Sequence, residues 1–223
     1  MVDNHILSVD SEKLQKGQIM NILRTSSVVF LLLFCISAFA AVSPPEKVII
    51  DTSERMLKII QNEGDALREN REKVYKVIDE VINPHIDFQR MSRWVLGKYW
   101  KKASDEQKAR FVKEFRFLLM RTYATAITEY SGEKIEYLPV RFQTGDTDIM
   151  IRTELKQPTN PNPISVNYSL YETKDGWKVY DIVIEGVSLI ANYRTSFSSQ
   201  IKRGSIQELI DTLAEHNSKK RAG

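Results

Sequence analysis

The chain has very few of the residues that build disulfides and most metal sites. Among its 223 residues it has one cysteine, Cys35, and three histidines. A single thiol cannot form an intrachain disulfide, a thiolate zinc cluster or an iron–sulfur site. The two histidines beyond the N-terminal segment, His85 and His216, do not have metal-ligand spacing. We therefore expect neither a metal site nor a cofactor.

A strong charge imbalance is also missing. Thirty-two Lys plus Arg against 29 Asp plus Glu leave a net charge of +3, and the charges are scattered, so nucleic-acid binding is not predicted. No glycine-rich loop resembles a phosphate cradle, and the segment Gly186-Val187-Ser188 lacks the second glycine of a nucleophile elbow. With 42% hydrophobic and 27% charged residues, the composition is that of a globular domain.

The N-terminal segment has the pattern of a secretory signal peptide. No charged residue occurs from Thr25 to Pro45, Arg24 precedes this stretch, and Ala38 and Ala40 provide a small-x-small cleavage site. We predict that residues 1–40 are a leader and signal peptide cleaved after Ala40. An uncleaved membrane anchor is the alternative, because the uncharged stretch is just long enough to cross a bilayer.

Translation is predicted to start at Met20 rather than Met1, because the segment before Met20 is a longer and more polar leader than a signal peptide normally carries. Lipidation at Cys35 is not expected, because the preceding residue, Phe34, is large. We predict a single domain over residues 41–217 and a basic tail over residues 218–223. An exported domain without cysteine depends for its stability on a hydrophobic core.

Helical periodicity dominates both ends of this domain. Proline in the first turn and caps at Asp87, Ser104 and Ser205 mark helix starts. The predicted helices run from residues 44–46 to just before Gly64, from about Arg68 to Asn83-Pro84, from Asp87 to Gly97, from Asp105 to about Ser131, over 189–201, and from Ser205 through Leu213.

The period changes to two between these helical regions. Alternating apolar residues predict strands over 149–156, 164–170 and 177–185, and an earlier strand spans about Ile135 to Phe142. The proline-rich segment 158–163 is expected to connect two strands, and Gly186 is expected to end the sheet. The predicted fold class is α+β, with a twisted antiparallel sheet of about four strands packed against several helices.

The carboxylate of Asp181 could have either a catalytic or a structural role. Asp181 and Glu185 lie on one face of the last predicted strand, and a buried carboxylate could serve as a general base. The alternative, that Asp181 accepts hydrogen bonds from a loop or a buried arginine, is favoured because isolated carboxylates are common and partnered active sites are not.

Two segments resemble a known family. Trp94-Val95-Leu96-Gly97-Lys98-Tyr99-Trp100-Lys101-Lys102-Ala103-Ser104, followed by Gln107, Phe111, Phe115, Leu119, Tyr123 and Tyr130, is similar to the central helical signature of the MlaC family, also called toluene-tolerance proteins. Residues 177–190, continuing through Asn192-Tyr193-Arg194 to Phe197, resemble the strand-to-helix signature of that family. The match spans nearly all of the chain after the signal peptide.

The resemblance implies a soluble phospholipid carrier of the Gram-negative periplasm and no enzymatic activity. Its implied partners are diacyl phospholipid, an outer-membrane lipoprotein–porin complex and an inner-membrane ABC transporter with a substrate-binding ring. The implied role is maintenance of outer-membrane lipid asymmetry. The implied fold is a sheet related to the nuclear-transport-factor-like cone, with helices enclosing an apolar cavity. A carrier that presents the same cavity opening to both membrane complexes is most simply a monomer.

A lipid carrier needs a wide apolar face on a long helix, opposed by an alternating sheet. Periodicity alone does not distinguish a filled core from a hollow one. We predict that the acyl pocket is lined by Phe115, Leu118, Leu119, Tyr123, Ile127, Ile149, Ile151, Val166, Tyr168, Leu170, Val187, Leu189, Tyr193 and Phe197. Arg152 and Arg194 are candidate phosphate neighbours because they are close in sequence to this set.

Two further hypotheses stay open at this point. The chain could be a small-molecule enzyme on a cone-shaped fold with Asp181 as base, which requires a small pocket with a polar floor. It could also be a periplasmic adaptor that binds proteins, which requires a filled core and a contiguous exposed apolar surface.

Overall fold

The computed structural model describes residues 44–129, 132–141, 143, 145–158 and 160–219. The leader and signal peptide, with the predicted start at Met20 and cleavage after Ala40, lie outside the described residues, as do residues 220–223 of the basic tail. The described residues belong to one unit, Val42–Gly223. None of the helices described in it is both long enough and apolar enough to span a membrane.

Helices form the two ends of the described chain and strands form its middle. The helices are α1 (Pro45–Glu69), α2 (Arg71–Val81), α3 (Phe88–Leu96), α4 (Asp105–Thr128), α5 (Leu189–Arg203) and α6 (Ile206–Lys219). The strands are β1 (Lys134–Tyr137), β2 (Asp148–Gln157), β3 (Asn160–Thr173), β4 (Gly176–Ile184) and β5 (Val187–Ser188). Neighbouring strands pair antiparallel in chain order, which confirms the predicted α+β class.

The predicted helix caps are confirmed. The Asp87 carboxylate accepts a hydrogen bond from the first turn of α3, and Gly97 ends that helix with a φ of 54°. Ser104 and Gln107 form both hydrogen bonds of the capping box that opens α4, each at 3.1 Å. Ser205 caps α6 through its hydroxyl.

The first helix is longer than predicted. It continues through Gly64 to Glu69, and the helical conformation is interrupted at Asn70, whose backbone is extended. The Asn70 side chain accepts a hydrogen bond from the Lys73 amide and so caps α2. A glycine in a helix interior lowers stability without forcing a break, and the apolar side chain of Leu67 beyond Gly64 is buried.

The sheet corrects three predicted boundaries. Strand β1 ends at Tyr137, whereas the sequence predicts a strand as far as about Phe142. The segment 158–163 is mostly strand, because β3 already begins at Asn160, but the pairing with β2 passes from Gln157↔Asn160 to Leu155↔Ile164 and leaves Pro161 and Pro163 without paired partners. Proline has no amide hydrogen to donate to a ladder. Gly186 does not end the sheet, since β5 turns back and pairs with β4 to make a fifth strand.

Helices pack against strands β2 and β4 and against each other. Helix α1 packs against β2, α3 and α5 pack against β4, and α6 packs along α4. Phe111 and Phe115 of α4 are fully buried in the largest of three apolar clusters, between α3, α5 and α6. This arrangement places one face of α4 toward the sheet and α2, where the candidate site lies.

Candidate functional site

An apolar cavity lies between helices α2, α3 and α4 and strands β3 and β4. This first lobe has a volume of about 270 Å³. Its lining is Ile78, Ile82, Asn83, Ile86, Phe88, Met91, Leu119, Met120, Tyr123, Ile127, Val166, Tyr168, Ile182, Ile184 and Leu189. None of these side chains is charged, and Asn83 is the one amide among them.

A second lobe adjoins the first on the side of α1. Its volume is about 210 Å³, and it is lined by Ile49, Thr52, Ser53, Met56, Leu57, Ile82, His85, Ile86, Ile135, Tyr168, Val179 and Ile182. Four residues line both lobes: Ile82, Ile86, Tyr168 and Ile182. Together the two lobes fall within the range of about 300–1,000 Å³ that is typical of ligand pockets.

The chemistry of this lining favours a hydrocarbon ligand. His85 is its one titratable nitrogen, and its pKa is lowered by burial and then by the positive charges of Lys178 and Arg55, with Asp51 opposing them. His85 is therefore neutral at pH 7, so that the two lobes carry no formal charge. A ligand with exposed charges would lose its hydration there without compensation.

The side chain of Tyr168 lines both lobes and carries a hydroxyl group. Burial raises the pKa of Tyr168 to about 12, with a further increase from Tyr137 and a decrease from its hydrogen bond with Thr153. The Thr153 hydroxyl in turn donates to the backbone carbonyl of Val166 at 2.7 Å. Burial therefore keeps the phenol protonated at neutral pH, and the hydrogen bond with Thr153 orients it.

Six of the fourteen predicted lining residues lie on the first lobe, namely Leu119, Tyr123, Ile127, Val166, Tyr168 and Leu189. The residues predicted to alternate inward on β2 and β3 share one face of the sheet, because Ile149 pairs with Leu170, Ile151 with Tyr168 and Thr153 with Val166. On that face Ile151, Thr153 and Leu170 are buried.

The remaining predicted residues occupy other positions. Phe115, Tyr193 and Phe197 form a packed aromatic cluster with ring centroids 5.3–6.0 Å apart, and Leu118 contacts the same cluster. This part of the wide apolar face of α4 is filled core. Contact of these side chains with a ligand stays a prediction.

Three predicted sheet residues, Ile149, Ile151 and Leu170, line neither lobe. Ile151 and Leu170 are buried with Ile49 and Trp177, and Ile149 packs against them. Val187 lies on β5 and is 55% exposed.

Neither candidate phosphate neighbour lines the two lobes. Arg152 is exposed and donates to the carbonyl of Pro139 at 3.4 Å. Arg194 is exposed on α5, with its guanidinium group against Gly97. Their role at a headgroup stays a prediction.

Sequence reasoning missed Ile182 and Ile184 on β4. The pairing passes from Asp181↔Ser169 to Val179↔Leu170, so that Tyr180 is an additional residue in β4 and the inward face changes from odd to even positions. Strict alternation cannot detect such a bulge. Ile78 of α2 and Ile82, directly after that helix, also line the first lobe. The sequence showed them as part of an apolar stripe, but such a stripe does not indicate whether its residues line a cavity or fill the core.

Asp181 has a structural role. One of its carboxylate oxygens accepts hydrogen bonds from the amides of Ile182 and Ile190, and the other accepts from the Ser188 hydroxyl at 2.6 Å. These bonds join β4 to the start of α5, so the structural alternative is the one observed. Asp181 lines neither lobe.

Metal chemistry finds no support in the described part of the chain. No group of three or more His, Cys, Asp or Glu side chains there could hold a metal ion.

Fold and site together define an α+β protein with an uncharged, two-lobed apolar cavity between its helices and an antiparallel sheet. Residues 50–215 match the model of the MlaC protein family, and the chain belongs to that family.

Curated relatives cover most of the chain. It is 26% identical over 205 residues to the intermembrane phospholipid transport system binding protein MlaC of Haemophilus influenzae, covering 88% of this chain and 95% of that protein. It is 25% identical over 185 residues to the toluene tolerance protein ttg2D of Pseudomonas putida, covering 82% of this chain and 84% of the relative.

A solved structure has the same fold. The phospholipid-binding protein of Ralstonia solanacearum, determined in complex with a phospholipid, superposes with a TM-score of 0.74 at 31% identity. The match covers 79% of this chain and 98% of that chain.

Proposed function

We propose that the chain is a periplasmic phospholipid carrier that holds acyl chains in the two-lobed cavity. It shuttles lipid between an outer-membrane lipoprotein–porin complex and an inner-membrane ABC transporter, and it thereby maintains outer-membrane lipid asymmetry. The observation that carries this proposal is the uncharged lining of both lobes, which share Ile82, Ile86, Tyr168 and Ile182. The phospholipid bound to the Ralstonia solanacearum protein supports it.

The energetics of lipid transfer explain why such a cavity is needed. Two acyl chains contain on the order of thirty methylenes, and exposing each to water costs about 0.8 kcal/mol, or more than about 20 kcal/mol in total. Free diffusion of a phospholipid through the periplasm is therefore negligible. A carrier replaces the bilayer with an apolar lining, and two lobes that meet at shared residues suit two chains that meet at one headgroup.

Release requires a change in relative affinity. A lining that matches the bilayer makes transfer nearly balanced, so a docking partner must favour the open or the closed form of the cavity. We expect a monomer to serve both partners, with direction decided by the energetics of the two membrane complexes.

Native mass spectrometry tests the proposal directly. The chain is expressed with its N-terminal segment in a Gram-negative host, purified from the periplasm, and measured intact and after denaturation. We expect the mass of Ala41–Gly223 plus a stoichiometric increment that resolves into diacyl phospholipid. The same intact mass tests the predicted cleavage after Ala40.

A matched pair of variants on β4 connects the lipid to the cavity. Ile182 lines both lobes, whereas Val183, the next residue, lies on the opposite side of the strand. Ile182→Asn should lower the lipid-bound fraction severalfold, because a polar amide in the lining is not compensated by an acyl chain. Val183→Asn should retain the lipid.

Two results would contradict the carrier proposal. One is wild-type protein that carries no phospholipid and cannot be loaded from vesicles. The other is equal lipid occupancy in the two folded variants, which would place the lipid outside these lobes.

A further inference from the structure

A second cleft, of different chemistry, lies where α1, α2 and α4 meet. Its volume is about 330 Å³, and three arginines line it: Arg68 in the last turn of α1, Arg71 at the first position of α2 and Arg121 on α4. Its other polar side chains are the threonines of α4 at positions 122, 125 and 128. Among the described residues that line it, none is acidic.

Among the described residues, two of the three arginines have no carboxylate partner, namely Arg71 and Arg121. The third, Arg68, pairs with the exposed carboxylate of Asp65 at 2.5 Å, so its charge is partly balanced. Arg121 donates to the backbone carbonyl of His216 at 2.8 Å, which positions its guanidinium group without cancelling its charge. Within the part of the chain that the structure describes, the Arg71 guanidinium has neither a hydrogen bond nor an ion pair.

The N-terminal end of α2 adds positive potential to the cleft, whereas the last turns of α1 and α4 also border it and two of the three threonine hydroxyls already donate within α4. Arg71 is the first residue of an 11-residue helix, whose N-terminal end carries a partial positive charge. The hydroxyls of Thr122 and Thr128 donate to carbonyls of their own helix. Thr125 is the cleft threonine whose hydroxyl is free of such a bond in the described structure.

Helix α4 separates this cleft from the acyl cavity. Leu119, Tyr123 and Ile127 line the first lobe, whereas positions 121, 122, 125 and 128, on the opposite side of the helix, line the cleft. The buried side chains of Val74, Met120 and Ala124 pack together between α2 and α4. A ligand in the cleft is therefore distinct from an acyl chain in the cavity.

We propose that this cleft is a binding site for a phosphate group, held by Arg71 and Arg121 and assisted by Arg68. Guanidinium groups donate in a planar fork that matches phosphate oxygens, and a cleft lined by three arginines and no carboxylate favours a multiply charged oxyanion. The phosphate could belong to a free phosphate or to a phospholipid headgroup at a membrane surface. The proposal goes beyond the carrier function, which needs only the apolar cavity.

Calorimetric titration of the full periplasmic protein with inorganic phosphate at low ionic strength tests the site. Arg71→Gln and Arg121→Gln should each weaken binding by about tenfold or more, since each removes a charge-assisted donor. Arg71→Gln is the safer variant for folding, because it breaks no described contact. The matched control is Arg203→Gln, which removes an exposed charge from the last turn of α5.

A second arm distinguishes the source of the phosphate. Co-sedimentation is measured with vesicles of phosphatidic acid in phosphatidylcholine and with vesicles of phosphatidylcholine alone. Saturable binding of inorganic phosphate that both variants weaken supports a site for the free anion. Vesicle binding that depends on phosphatidic acid and on the same two arginines, without binding of inorganic phosphate, supports a headgroup site.

The proposal is overturned if neither probe binds, or if Arg71→Gln, Arg121→Gln and Arg203→Gln behave alike. It is also overturned if Arg71→Gln loses its co-purified phospholipid together with phosphate binding, because the cleft would then be part of the lipid site. Failure of the carrier proposal has a different signature, namely wild-type protein without phospholipid.

Discussion

The carboxylate of Asp181 accepts a hydrogen bond of 2.6 Å from the Ser188 hydroxyl across the turn that joins β4 to α5. Ser188 is also the N-cap of α5, since its oxygen accepts from the Ala191 amide. One side-chain pair therefore determines where the sheet ends and where the helix begins. Asp181, the candidate general base of the sequence analysis, therefore stabilises this junction.

Replacing this carboxylate tests its structural role. Asp181→Ala leaves the Ser188 hydroxyl and the Ile190 amide without their acceptor, so we expect the free energy of unfolding to fall by about 2 kcal/mol. Asp65→Ala, which removes an exposed ion pair, should change it by less than about 0.5 kcal/mol. Urea denaturation measures both, and equal stabilities of the two variants would contradict the assignment.

The C-terminal helix is held by a buried amide. Asn217 donates to the backbone carbonyl of Glu114 at 3.0 Å and to its carboxylate at 2.7 Å, and both side chains are buried. Asn217→Ala should lower the free energy of unfolding by about 2–3 kcal/mol, because it leaves a buried carboxylate unpaired. A thermal melt should show a decrease of several degrees. Asn192→Ala, at an exposed position of α5, is the control. Equal melting temperatures of the two variants would show that the hydrogen bonds between Asn217 and Glu114 do not stabilise the fold.

Alkaline pH should destabilise the protein through Tyr168. Its folded-state pKa of about 12 lies above the ordinary value of 10.0, so the unfolded chain loses the phenolic proton first. Stability is therefore complete below pH 10 and declines as the pH rises from 10 to 12, by about 2–3 kcal/mol for this group.

Denaturation of wild-type protein and Tyr168→Phe across this range measures the effect. The decline should be smaller in Tyr168→Phe but not absent, because burial also raises the pKa of Tyr123 and Tyr137. Identical pH dependence in the two proteins would show that Tyr168 does not titrate as described.

Two glycines should respond in opposite directions to alanine. Gly64 lies inside α1, and its nearest neighbour for an added Cβ is the Arg68 guanidinium at 3.9 Å, so Gly64→Ala should stabilise by about 0.5–1 kcal/mol. Gly97 has a φ of 54°, and an added Cβ would approach Arg194 Nη2 at 3.0 Å. Gly97→Ala should therefore destabilise by about 1 kcal/mol or more. Equal shifts in urea midpoint would contradict the assigned backbone geometry.

Local sequence signals determined most of the fold. A capping side chain acts within three residues of its own position, so Asp87, Ser104 and Ser205 were sufficient to locate helix starts. Alternation along β2 and β3 likewise predicted their inward faces, because successive side chains of a strand must point to opposite sides.

Tertiary packing decided where the apolar face is hollow. Phe115 and Tyr123 belong to the same face of α4, yet Phe115 is enclosed by aromatic rings and Tyr123 borders the cavity. The additional residue in β4 brings Ile182 into both lobes, and the break between α1 and α2 at Asn70 places Arg71 in the cleft that Arg121 also lines. The sequence by itself determined which residues avoid water, because that preference is a property of each side chain. Only the tertiary structure decided whether these apolar residues pack against other side chains or line a cavity, because their surroundings come from elements distant along the chain.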